Sequence, residues 1–332
     1  MWSVVTQFAP KFNPRGLTLS PVVPRALADA SPSASLGRGS LEELVHLTGS
    51  AAALQALAPD LRVEGAPTPE PLASEPDRDE HGALEALGRD GIATLATAVA
   101  PATQRALHAA IEQLAARDLP ATFVYLFDDA WRLAEDLRAR VSRAFGREYR
   151  LVEDVWAWRI APGEGRGWTA HRGIAHERLD RAAPEILNLW VALSDVEANR
   201  ACMHAIPLGD DPAYPGALDA IDAPPGAVRV LPLAAGDALV WNANVLHWGG
   251  VCAPDATGPR LSCSFTLCRA DAAARFGDLV MLRPLAELDL GRRALAVARM
   301  VELYGGVGRA DVRDAVRAWA ALTRALASRF GS

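Results

Sequence analysis

Arg260-Leu261-Ser262-Cys263-Ser264-Phe265-Thr266-Leu267-Cys268 alternates polar and apolar side chains along its length. Side chains in a strand point to opposite faces with a period of two, so Arg260, Ser262, Ser264 and Thr266 share one face. Leu261, Cys263, Phe265 and Leu267 share the other. The apolar face needs a cover, and helices packed on the outside of a sheet would supply it. The polar face would then line an interior cavity and not open water. A planar guanidinium fork such as that of Arg260 binds a carboxylate through two parallel hydrogen bonds, and Ser262 adds a hydroxyl. A solvent-facing strand with a surface arginine would show the same local pattern, so the rest of the chain has to decide.

The flanking sequence favours the cavity. From Val152 onward the hydrophobic period shortens from about 3.6 to about 2. Short strand-like runs follow at Val155–Ile160, Ile186–Leu193, Ala205–Ile206, Val228–Leu233 and Ala238–Asn242. Pro162–Gly167, Pro224-Pro225-Gly226, Gly236-Asp237 and Gly249-Gly250 punctuate them as turns. Many short strands with such turns predict a mainly β core with flanking helices, a sandwich or jelly roll over about 151–270. Helical periodicity precedes it: Leu107, Ala110, Ile111 and Leu114 form one face, and Ala130, Leu133, Leu137 and Val141 another, with Asp128 or Asp129 as cap. It returns after Asp271, where Val312, Val316, Trp319, Leu322 and Leu326 make an apolar stripe expected to pack on the sheets. Residues 1–80 read as an irregular N-terminal extension. Within it, Ser40–Leu47 is a short helix with Ser40 and Glu43 as a capping box, and Ala66–Glu80 is a linker. The folded domain is expected over 81–332, as a helical cover (81–150), the β core (151–270) and C-terminal helices (271–332).

Composition narrows the class of function. The chain has 332 residues, half of them hydrophobic, and a formal net charge of −6. That balance argues against a nucleic-acid or anionic-membrane surface. No run approaches the roughly 20 apolar residues of a membrane span, and no secretory signal is evident. Cys202, Cys252, Cys263 and Cys268 form no C-x-x-C pair and read as reduced, small apolar residues of a cytoplasmic protein. Lys11, in a proline-rich leader, is the sole lysine, which leaves Schiff-base catalysis without a residue.

Two histidines stand in informative places. His171 follows Gly163–Gly167 and Trp168 at a strand edge, and His247 follows a turn into a strand and precedes Trp248-Gly249-Gly250. Taken singly, each is more often structural. Two at strand ends, with Arg260 downstream in a polar strand, make a rarer constellation. Other positions carry blander expectations. His204, inside a strand, reads as structural, and Trp156 and Trp158 as packing residues of which one can line a pocket. Asp210-Asp211-Pro212 with Tyr214 reads as a turn bordering a substrate entrance, and Gly163–Gly167 lacks the context of a phosphate loop.

An ordered set of motifs resembles the phytanoyl-CoA dioxygenase family of Fe(II)/2-oxoglutarate oxygenases over residues 152–269. These are Gly167-Trp168-Thr169-Ala170-His171-Arg172, Leu189-Trp190-Val191-Ala192-Leu193-Ser194-Asp195, Asn199–Pro207, Gly236-Asp237 to His247-Trp248-Gly249, and Gly258-Pro259-Arg260-Leu261-Ser262. The resemblance implies a double-stranded β-helix, His171 and His247 as iron ligands, and Arg260 as the anchor of 2-oxoglutarate with help from Ser262. It also implies O2 as co-reactant and a small-molecule substrate, free or carrier-bound. Asn188 and Trp190, on one strand face, are expected to contact cosubstrate or substrate.

Gly173 departs from the family pattern, which has an aspartate there. Two histidines and a carboxylate leave three positions open on iron, and losing the carboxylate frees a fourth. This resembles the radical halogenases of the same superfamily, in which a glycine or alanine leaves room for chloride or bromide. Two alternatives stay open. A substitute ligand, Glu177, Asp180 or His176, would restore a hydroxylase, and loss of iron would leave a non-catalytic binding protein.

Overall fold

The computed structural model describes residues 39–63, 78–173, 183–214, 226–276, 282–304 and 310–330. Helices α1 (Gly39–Gly49), α2 (Ala51–Leu57) and α3 (Arg78–Asp90) lead into strand β1 (Ile92–Leu95) and helices α4 (Pro101–Ala115) and α5 (Asp128–Phe145). The strands follow: β2 (Tyr149–Ile160), β3 (Gly165–Arg166), β4 (Ile186–Ala192), β5 (Met203–Ile206), β6 (Arg229–Leu231), β7 (Ala238–Asn242), β8 (Leu246–Gly249), β9 (Val251–Cys252) and β10 (Arg260–Arg269). Helices α6 (Leu290–Tyr304) and α7 (Ala310–Phe330) close the described chain.

The strands build a five-stranded antiparallel sheet in the order β1-β7-β4-β10-β2 and a smaller sheet in the order β6-β5-β8, with β3 and β9 paired separately. Residues of both sheets meet in one apolar cluster, Trp190, Leu239 and Trp241 from the large sheet against Met203 and Ala205 from the small one. The non-sequential strand order and the two facing sheets are the jelly-roll arrangement expected from the sequence.

β10 shows how the sequence dictates this layering. Leu261, Cys263, Phe265 and Leu267 all sit in the main core with Leu107, Ile111 and Leu114 of α4 and Val297 and Val301 of α6. Fully burying a large apolar side chain contributes roughly 1.5–3 kcal/mol, so this face binds the strand firmly to its helical cover. Phe265 is fixed further by the edge of Tyr125, whose hydroxyl donates to the Ser264 carbonyl at 2.9 Å. The polar face thereby turns toward the small sheet. One irregularity matters later: Phe265 pairs with Val155 but Leu267 with Leu151, so Val152, Glu153 and Asp154 stand against the single residue Thr266. An extra residue in a ladder bends the strand and re-aims a side chain.

Several expectations need correction. The stretch 39–63 is more regular than expected: the short helix read at 40–47 is present as α1, α2 follows it, the two place Leu44, Leu54 and Leu57 in the main core, and Thr48 accepts from the Trp319 indole at 2.7 Å. α1 begins at Gly39, so Ser40 lies inside it, while Ser50 caps α2 by accepting from the Ala53 amide. Neither Asp128 nor Asp129 caps α5. Each carboxylate is taken by an arginine instead, Arg293 and Arg62 respectively. The stripe of α7 is narrower than its periodicity suggests. Val316, Trp319 and Ala320 are buried, whereas Leu322 and Leu326 are exposed. α5 ends at Gly146, in the left-handed region with φ 58°, where a glycine carries no Cβ penalty.

Candidate metal centre

β8 pairs with β5 on one edge, and on the other His247 forms an antiparallel bridge with His171. Each amide donates to the other's carbonyl at 3.0 Å. The bridge sets the two imidazoles side by side, ring centroids 4.3 Å apart and planes inclined at 53°. His171 Nδ1 lies 2.7 Å from the Thr169 carbonyl and His247 Nδ1 lies 2.9 Å from that of Val245. A carbonyl only accepts, so each Nδ1 carries the proton and each Nε2 keeps its lone pair. That is the tautomer a metal takes, fixed by a backbone acceptor behind the ring. Burial lowers the pKa of His171. Burial and then the neighbouring His171 hold His247 well below the usual histidine range. Both rings are neutral at pH 7 and fit a cation between them.

Gly173 donates its amide to the Ala243 carbonyl at 2.7 Å. A Cβ on it would stand 3.1 Å from that oxygen and 3.4 Å from Asn188 Nδ2. Any larger residue would therefore push against backbone by a few tenths of an ångström. Among the described residues no group of three His, Cys, Asp or Glu side chains is arranged to hold a metal. The substitute ligands weighed above, His176, Glu177 and Asp180, lie outside the described residues.

Arg172, between these two positions, faces away. It is buried, holds both oxygens of Asp211 through Nη1 and Nη2, and donates from Nη1 to the Asn244 carbonyl at 3.1 Å. This pair ties the His171 segment to the loop at 211 from behind. Sequence reasoning missed it and read Asp211 as part of a turn bordering a substrate entrance. The one available signal was that Arg172 in an extended segment must point opposite to its neighbours.

The polar face of β10 occupies the interior. Arg260 is only 1% exposed, and Nη1 donates to Ser262 Oγ at 2.6 Å. Its guanidinium carbon stands 5.2 Å from the ring centroid of Trp190 and 5.9 Å from that of Trp158. Its Nε finds no partner, and no carboxylate of the described residues pairs with it. Burial lowers its pKa to about 10, so it stays charged at neutral pH. A cation buried without a counter-charge is strongly unfavourable, and a dicarboxylate ligand would supply one. A Cβ on Gly167 would come 3.0 Å from Nη2, so that glycine makes room for the guanidinium.

Asn188 and Trp190 project into the same interior. Asn188 Oδ1 is 3.0 Å from Thr266 Oγ1, which is also 2.8 Å from Asp154 Oδ2. Trp190 packs against Arg260, and Trp241 against His247 with centroids 4.8 Å apart. His204 stacks on Trp248 and points its Nδ1 at the Cys202 carbonyl, away from the centre, as a structural residue would. All four cysteines are buried and free. No helix among the described residues is long and apolar enough to cross a membrane. Asp154 and Tyr304 were not anticipated from the sequence.

No curated protein matches the chain. Solved structures to which the chain is similar include the epimerase SnoN in complex with Fe3+, alpha ketoglutarate and nogalamycin RO, at 21% identity over 57% of this chain and 84% of that one, with TM-score 0.46. AviO1 from Streptomyces viridochromogenes Tue57 is 18% identical over 59% of this chain and 97% of its own, TM-score 0.46. HygX from Streptomyces hygroscopicus, with nickel and 2-oxoglutarate bound, is 14% identical over 59% and 87%, TM-score 0.44. In sequence, the stretch carrying both histidines and Gly173, though not Arg260, is similar to a family: residues 132–251 match the model of the phytanoyl-CoA dioxygenase (PhyH) family.

Proposed function

We propose that this chain is an Fe(II)- and 2-oxoglutarate-dependent enzyme that modifies an unactivated C–H bond of a small molecule, and that the modification is halogenation. The observation that carries the first half is the pairing of two neutral, carbonyl-held imidazoles with a buried arginine that has no counter-ion among the described residues. His171 and His247 would hold the iron, and Arg260 with Ser262 would hold the far carboxylate of 2-oxoglutarate. Iron with 2-oxoglutarate and O2 supplies the oxidising power for removing hydrogen from carbon. The chain's own residues position the partners: Trp190 and Trp158 flank the guanidinium, and Asn188 faces the space beside Gly173.

The halogenation half rests on Gly173. With two neutral ligands and no side-chain carboxylate among the described residues, an anion such as chloride or bromide balances the cation better than water does. Asn188 Nδ2, 3.4 Å from where a Cβ would sit, offers that anion a donor. The test is an anaerobic absorbance titration with Fe(II) and 2-oxoglutarate, with and without chloride. A charge-transfer band perturbed by chloride is expected. A band indifferent to chloride would return the reading to a hydroxylase, and no band would remove the enzyme reading altogether.

Gly173→Asp and Gly173→Ala sharpen this, because both crowd the Ala243 carbonyl and only one brings charge. Product analysis should find halide incorporation abolished in the aspartate variant and partly retained in the alanine one. Undiminished halogenation by Gly173→Asp would overturn the proposal.

A further inference from the structure

The interior holds a second acidic group, half-buried, that the metal centre does not use. The irregular pairing of β2 against Thr266 turns Asp154 inward, where Oδ1 accepts from the Tyr304 hydroxyl at 2.7 Å and Oδ2 lies 2.8 Å from Thr266 Oγ1. Among the described residues these neutral groups are its partners, and no arginine or histidine pairs with it. A carboxylate has about four acceptor positions, and only two are engaged. Burial pushes the Asp154 pKa up, against the pull of those two hydrogen bonds.

Tyr304, which donates to this carboxylate, belongs to a closed circuit of four rings. Trp156 meets Trp158 at 6.1 Å, Trp158 meets Trp168 at 5.4 Å, Trp168 meets Tyr304 at 5.3 Å, and Tyr304 meets Trp156 at 5.4 Å. All four contacts are edge-to-face, with interplanar angles of 61° to 86°, so successive ring faces turn in different directions. Ring faces carry negative potential and attract cations. Arg260 already stands over the Trp158 ring, 5.9 Å from its centroid. Trp168 lies 6.4 Å from the His171 ring, so the circuit borders the candidate metal centre. Asp154, Trp158, Trp168 and Tyr304 are each only half-buried, as groups lining an accessible interior would be.

We propose that Asp154 and the Trp156–Trp158–Trp168–Tyr304 circuit form a subsite for a protonated amine, through which the enzyme grips an amine-bearing substrate beside the metal. An ammonium group is compact, brings up to three donors for the free positions of the carboxylate, and presents positive charge to every ring. A divalent metal would need further acids, and the described residues offer no such cluster. That the amine belongs to the substrate rests on the oxygenase reading. That the subsite binds a cation does not.

The test uses the full-length, metal-free chain and two probes of equal size, hexylammonium chloride and hexan-1-ol, titrated at pH 7 by calorimetry and tryptophan fluorescence. Hexylammonium is expected to bind at least tenfold more tightly than the alcohol. Asp154→Asn keeps the size of the side chain and should erase that preference while leaving hexanol affinity within twofold. Equal affinity of the two probes for the wild type would overturn the proposal and make the circuit a self-packed cluster. So would an Asp154→Asn variant that keeps its preference. If that variant does not fold, Trp168→Leu opens the circuit and must lower the preference; an unchanged preference overturns the proposal equally. Because neither iron nor 2-oxoglutarate is present, failure here leaves the charge-transfer test standing, and the absence of a charge-transfer band leaves this one standing.

Discussion

Arg172 and Arg260 are both almost wholly buried, at 1% exposure each, yet their surroundings differ in kind. Arg172 is met by Asp211 from the chain itself, through both terminal nitrogens. Among the described residues Arg260 is met by one hydroxyl and two ring faces, and none of them compensates its charge. The difference separates a charge the fold uses from a charge the fold presents. A buried ion pair broken from one side leaves an unpaired charge, whereas a buried charge without a partner has nothing to lose on removal.

That contrast can be broken most directly at Asp211. Asp211→Ala should destabilise the protein by about 3–5 kcal/mol, since it strands Arg172 in the interior. Urea unfolding measures this, and a loss within the ordinary surface range would erase the distinction. Arg260→Met should do the opposite: stability unchanged or raised, with 2-oxoglutarate affinity down by about 30-fold or more, the scale of about 2–5 kcal/mol for truncating a charged contact. Calorimetric titration alongside unfolding tests both halves, and a variant that binds 2-oxoglutarate normally would move the anchor elsewhere.

A smaller effect concerns the neutral pair beside them. His171 and His247 have pKa values lowered by burial, so in metal-free protein they stay unprotonated below the range in which unfolded imidazoles charge, about 6.5. The unfolded state then binds more protons, and stability falls as pH drops from 7 toward 5. The slope is at most about 1.4 kcal/mol per pH unit for each histidine. His247→Gln should remove roughly half of it. A slope unchanged in that variant would assign the pH dependence to other groups.

Much of this was legible in the sequence because strand alternation is local. The two faces of β10 follow from nine consecutive residues, and both histidines and Gly173 are visible as a motif. What escaped depends on partners far along the chain. Asp211 looks like a turn residue until Arg172 arrives from 39 positions away, and Asp154 looks like an ordinary polar position until the ladder slips opposite Thr266. Leu322 and Leu326 show the converse error. Helical periodicity marks an apolar stripe, but not how far the neighbouring surface extends to cover it. Gly173 is ambiguous in the sequence for a related reason, since the carbonyl that crowds it comes from Ala243.

The backbone bridge between His171 and His247 has a consequence for how the centre is assembled. Two residues far apart along the chain are clasped by a reciprocal pair of amide–carbonyl bonds of 3.0 Å, independent of anything the rings hold. Their amides should therefore be sheltered from exchange with deuterated solvent before any ion arrives, and should open together. An incoming ion would meet imidazoles already in place, so loading should proceed in a single kinetic phase without a preceding ordering step.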